Sequence, residues 1–167
     1  TPLGGGLFQL DHVPGSVAQT RRYRLAGAAA GAGWDWDDPY RFGPVLGPLD
    51  EHLISEGRHL RLWERLGAHP VVHEGVAGTA FAVWAPSARR VSVIGAFNHW
   101  RAVQHPMRAR GATGIWELFL PAVGEGALYK FDILGQGGET LPQKADPLGF
   151  AAEPAPATAS VVTRLPA

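Results

Sequence analysis

From His69 onward the chain is cut into short runs of alternating residues by glycine-rich turns, and this punctuation constrains the fold more than any other feature. Thr79–Ala85 (TAFAVWA) alternates and is stopped by Pro86. Arg90–Phe97, Ile115–Leu120, Leu128–Ile133 and Ser160–Val162 follow as further β-rich runs. Gly111–Gly114, Gly124–Gly126 and Gly135–Gly138 separate several of them. Runs this short, with turn residues between, predict an all-β sandwich.

Upstream the pattern changes. Asp38–Pro48 holds closely spaced prolines and glycines and reads as a stiff, irregular connector. Leu49–Ile54 is predicted to form one or two helical turns, ended by Glu56-Gly57. Arg58–Leu66 reads as a second helix, with Leu60, Trp63 and Leu66 every third residue on one packing face and Gly67 as its stop. Residues 1–33 are rich in Gly and Ala. Leu7–Leu10 and Tyr23–Leu25 are short-strand candidates there, and Gly31–Gly33 is a turn between two strands. The resulting division is 1–37 as the remnant of a preceding β-domain, 38–70 as connector and short helices, 71–162 as the sandwich, and 163–167 as a stub.

Composition narrows the function. A chain of 167 residues that is 46% hydrophobic can bury a core. Its formal net charge is zero, which argues against nucleic acid or an anionic membrane as partner. The absence of cysteine excludes disulfides and thiolate metal sites and fits a reducing, cytoplasmic setting. The seven histidines show no metal-ligand spacing, and Pro70 between His69 and His73 rules out a shared helical face. No phosphate-binding or serine-hydrolase motif is present. The chain opens on Thr1 and its one methionine is Met107, so it reads most simply as a fragment or as a processed or trimmed chain.

Two motifs carry the chemistry. Val91–Trp100 (VSVIGAFNHW) runs from a β-branched strand into a turn ending in an aromatic ring. In Leu128–Ile133 (LYKFDI) the period of two places Tyr129, Phe131 and Ile133 on one face, with Leu128, Lys130 and Asp132 on the other. Trp100 and Lys130 can then both sit outside the core. A sugar suits them: its C–H face packs on an aromatic plane and its hydroxyls bond to Lys130 and Asn98. The competing readings are a tryptophan capping the core and a lysine serving solubility.

At these residues the chain resembles a known family. VSVIGAFNHW, GIWELFLP (Gly114–Pro121), GALYKFDI (Gly126–Ile133), QKADPLGF (Gln143–Phe150) and ATASVV (Ala157–Val162) occur in the order found in the carbohydrate-binding module of glycogen branching enzymes. Asp38–Pro70 is similar to the segment before that module in the bacterial enzymes. The resemblance implies an immunoglobulin-like early-set β-sandwich that binds α-glucan, with Trp100 as stacking platform and Lys130 on glucan hydroxyls. It implies no organic cofactor. It also implies a partner, the catalytic (β/α)₈ barrel in which the enzyme's carboxylates lie. Such a barrel needs about 250 residues, so this chain is expected to have no turnover by itself. Asp35, Asp37 and Asp38 cluster beside the proline connector and suit turn formation better than catalysis. One departure stands out. Where some glycogen-binding relatives carry a second tryptophan in a D-G-Q-W turn, this chain has Leu134-Gly135-Gln136-Gly137, so weak binding is expected. The rival readings are a stand-alone glycogen-binding regulator and a purely structural spacer.

Overall fold

The computed structural model describes residues 2–4, 7–8, 23–29 and 31–164. Two short strands, β1 (Pro2–Gly4) and β2 (Leu7–Phe8), pair with each other. The candidate strand Leu7–Leu10 is thus seen over two residues, and Gln9 and Leu10 lie outside the described residues. β3 (Leu25–Ala29) and β4 (Ala32–Trp36) form an antiparallel hairpin. Its turn is tighter than predicted. Gly31 takes the left-handed conformation at φ 83°, while Ala32 and Gly33 already belong to β4.

The rest is a sandwich of two four-stranded antiparallel sheets. One has the order β5 (Gly67–His73), β6 (Val76–Trp84), β9 (Ile115–Pro121) and β8 (Arg108–Ala109). The other runs β11 (Ala151–Ala152), β12 (Ser160–Val161), β10 (Leu128–Gly135) and β7 (Ala88–Gly95). Between them lies a core containing Phe81 and Val83 from β6, Leu118 and Leu120 from β9, Val91 and Val93 from β7, and Tyr129 and Phe131 from β10. The all-β early-set sandwich expected from the sequence is the fold observed. No helix among the described residues is long and apolar enough to cross a membrane.

Alternation explains most of this, but β6 is buried continuously from Gly78 to Val83. The cause is a third layer. The connector packs Phe42 against Ala80 and Phe119, and Leu46 against Leu66, Ala82 and Ile115, so it covers the outer face of β6 and β9. Leu46 N–H donates to Glu117 Oε2 at 3.0 Å, and Arg110 lies 3.3 Å from Glu117 while also binding Glu51. Burial raises the Glu117 pKa above the ordinary carboxylate range, opposed by the Leu46 amide and by Arg110.

The predicted helical turns at Leu49–Ile54 are α1 (Pro48–Ser55), with Pro48 opening the helix. The second helix, Arg58–Leu66, does not form. Only a single 3₁₀ turn, Leu62–Glu64, stands in its place. Arg61 leaves helical geometry at φ −128°, ψ 51°, and Leu60 is 87% exposed. The two residues that pack are Leu62 and Leu66, while Trp63 is exposed. Spacing by three therefore imitated a helix face on a segment that in fact follows the sheet surface.

Candidate functional site

The site is built on the loop that leaves β7. The strand ends at Gly95 because the next residues, Ala96–Asn98, coil into a 3₁₀ turn. A side chain at Gly95 would meet the carbonyl oxygen of Leu128 at 2.3 Å, so the loop can fold tightly against β10 only with glycine there. Asn98 holds this turn from inside. Its side-chain oxygen accepts from Gly95 N–H at 2.9 Å, and its amide donates to the Val93 carbonyl at 2.9 Å and contacts His105 Nδ1 at 2.9 Å. Burial lowers the His105 pKa, which favours the neutral ring that can accept from Asn98.

Asn98 is 0% exposed. With its amide committed to the loop it offers no surface to a sugar, so its sequence-based assignment as a contact residue is replaced by a positioning role. The next two residues depart from ordinary backbone: His99 has φ 53° and Trp100 φ 59°. Consecutive left-handed residues that are not glycine cost on the order of 1–3 kcal/mol each. They are held there by Asn98 and by the Trp100 N–H, which donates to Gly95 O at 2.9 Å. The result turns the Trp100 ring outward at 38% exposure.

Lys130 reaches the same corner from β10. Tyr129 pairs with Gly95 and Lys130 with Ile94, so Lys130 is one rung from the residue that anchors Trp100. The alternation that points Lys130 outward is locked by its neighbours. Tyr129 and Phe131 are fully buried, and Tyr129 Oη donates to Asp146 Oδ2 at 2.6 Å. Burial first, and Asp146 second, raise the Tyr129 pKa, and burial also raises that of Asp146. Lys130 Nζ donates to Thr158 Oγ1 at 2.7 Å. Thr158, exposed ahead of β12, is a neighbour the sequence reasoning missed. Its only signal was that Ala157–Val162 leads into a strand, and the pairing of β12 with β10 is what brings it beside Lys130. On the same outer face Arg90 and Asp132 lie 3.3 Å apart.

Trp100 and Lys130 line neither of two clefts of about 590 and 790 Å³ elsewhere on the molecule. A ring and an amine on an open surface suit a polymer passing across it better than a small molecule that must be enclosed.

Residues 65–149 match carbohydrate-binding module 48 (isoamylase N-terminal domain). The chain belongs to that family. It is similar to the N-terminal portion of the 1,4-alpha-glucan branching enzyme GlgB of Cereibacter sphaeroides, with 56% identity over 98% of this chain and 22% of the relative. The corresponding enzyme of Roseobacter denitrificans is 53% identical over 96% of this chain and 22% of its own length. The chain thus spans about a fifth of the relatives it matches. A pullulanase of Klebsiella pneumoniae, solved with maltotriose, overlaps 59% of this chain and 9% of its own at TM-score 0.47 and 24% identity.

Proposed function

We propose that this module is the glucan-binding portion of a cytoplasmic 1,4-α-glucan branching enzyme, and that Trp100 and Lys130 are its contact with the polymer. The observation that carries the reading is a partly exposed tryptophan on a strained loop, held by a fully buried asparagine beside a surface lysine. The pyranose C–H face would lie on the indole, and Lys130, already oriented by Thr158, would donate its remaining N–H groups to hydroxyls.

The whole enzyme would cut an α-1,4 chain and transfer it to an O6 position, with the chemistry in a (β/α)₈ barrel. This chain would deliver glucan to that barrel. The identity of 53–56% to branching enzymes over nearly the whole chain favours this over a stand-alone regulator or a spacer.

Calorimetric titration with maltoheptaose tests the contact. The expected Kd is ~0.1 to several mM, roughly 3–5.5 kcal/mol. Trp100→Ala removes most of the binding, whereas Lys130→Ala weakens it less, by about 0.5–1.5 kcal/mol. Equal binding by all three proteins would place the sugar elsewhere.

A further inference from the structure

The connector is fastened to its sheet through a buried carboxylate. Glu117 stands on the outer face of β9 between Ile115 and Phe119, both covered by connector residues. It is 5% exposed and accepts the Leu46 N–H at 3.0 Å. Glu51, in the first turn of α1, is the second carboxylate of the cluster. Arg110 serves both. Its Nε lies 2.7 Å from Glu51 Oε1 and 3.3 Å from Glu117 Oε1, so the guanidinium sits closer to Glu51.

The other charged groups around Glu117 are committed elsewhere. Arg108, its cross-strand neighbour on β8, donates to the carbonyls of Tyr40 and Phe42. Arg65 pairs with Asp50 at 3.1 Å, Glu64 pairs with Arg61, and His69 Nε2 contacts the Leu66 carbonyl at 2.9 Å. These three share with Glu117 the wall of a small cavity of about 70 Å³. An ionised Glu117 is thus a buried carboxylate whose cation belongs more to Glu51, and incomplete compensation is costly away from water. A protonated Glu117 keeps an oxygen to accept from Leu46 and leaves Arg110 to Glu51. Burial is the largest influence on its pKa and raises it, ahead of the opposing Leu46 amide and Arg110, and Glu51 raises it further.

We propose that Glu117 is a pH-sensitive clasp: protonated, it seats residues 42–51 on β6 and β9, and its ionisation loosens that segment over the apolar surface of Ala80, Ala82, Ile115 and Phe119. When the segment lifts, Glu117 returns to water and to the ordinary glutamate pKa of about 4.3. The seated form therefore holds the proton better than the lifted one. The hold contributed by this group is full below that ordinary value and is lost as the pH rises through the seated one. The clasp lies on the other sheet from Lys130 and stands independently of the glucan reading.

Amide exchange at Leu46, read by NMR between pH 4.5 and 7.5 and expressed as protection relative to Phe131 in β10, tests the clasp. Leu46 protection falls at least about threefold as the pH rises, and Glu117→Gln, which keeps an acceptor for Leu46, abolishes the fall. Glu51→Gln gives Arg110 to Glu117 alone and moves the fall to lower pH. His73, on the Gly43 carbonyl at 3.0 Å, and His59, 3.1 Å from Asp50, titrate against the same segment. A fall that persists in Glu117→Gln would belong to them and would overturn the proposal, as would Leu46 protection that does not change with pH. If Glu117→Gln does not fold, the carbon-13 shift of the Glu117 carboxyl in the unsubstituted chain decides. A midpoint at or below the ordinary glutamate value, or one out of step with Leu46 protection, overturns the proposal.

Discussion

Asn98 fixes the β7–β8 loop with three polar contacts and no exposed surface. Asn98→Ala would leave the Gly95 N–H and the Val93 carbonyl without these partners, at about 1–3 kcal/mol. A urea melt should show that loss, and Asn98→Asp should recover part of it by restoring the acceptor for Gly95. His105 adds a pH dependence. Its folded pKa is depressed by burial, so below the unfolded value of about 6.5 the unfolded chain binds a proton that the folded chain resists. Stability contributed by the neutral ring is present above that pH and falls as the pH drops through it. Urea melts at pH 7.5 and 5.5 should show the decline, and His105→Gln should flatten it. At this scale the exposure of Trp100 and the outward face of Lys130 were legible, because a turn after a strand and a period of two decide exposure locally. The role of Asn98 was not, since it depends on His105 seven residues away and on a strand end folded over it.

Among the elements, the strands of the sandwich were readable wherever one face meets the core, as in β10 with Tyr129 and Phe131 inward. Local periodicity misleads where a third layer covers the sheet. The apolar residues of Arg58–Leu66 belong to a covering segment and not to a helix, and Phe42 and Leu46 in the connector are as buried as core residues. No local period reports that kind of packing. The β3–β4 hairpin is the opposite case, with β4 exposed along its whole length. A two-stranded ribbon is marginal without a packed face. Its amides should exchange with solvent at least on the order of tenfold faster than those of the β7–β10 ladder. Equal protection in a hydrogen-exchange measurement would show that the hairpin shares the sandwich's cooperative unfolding.

For the whole molecule, the sandwich supplies rigidity, the connector seals one sheet, and the outer face of the other sheet carries Lys130, with Trp100 on the loop that follows β7. The central claim is that Trp100 serves a ligand and not the core. Melting temperatures of the unsubstituted chain and of Trp100→Ala, with and without ~20 mM maltoheptaose, test it directly. With a Kd of about 1 mM, ligand linkage contributes about 2 kcal/mol, a rise of several degrees in the unsubstituted chain. Trp100→Ala should melt within a degree or two of it without sugar and gain almost nothing when sugar is added. A large fall in the melting temperature of Trp100→Ala, together with no sugar-dependent rise in the unsubstituted chain, would contradict the account and make Trp100 a structural residue.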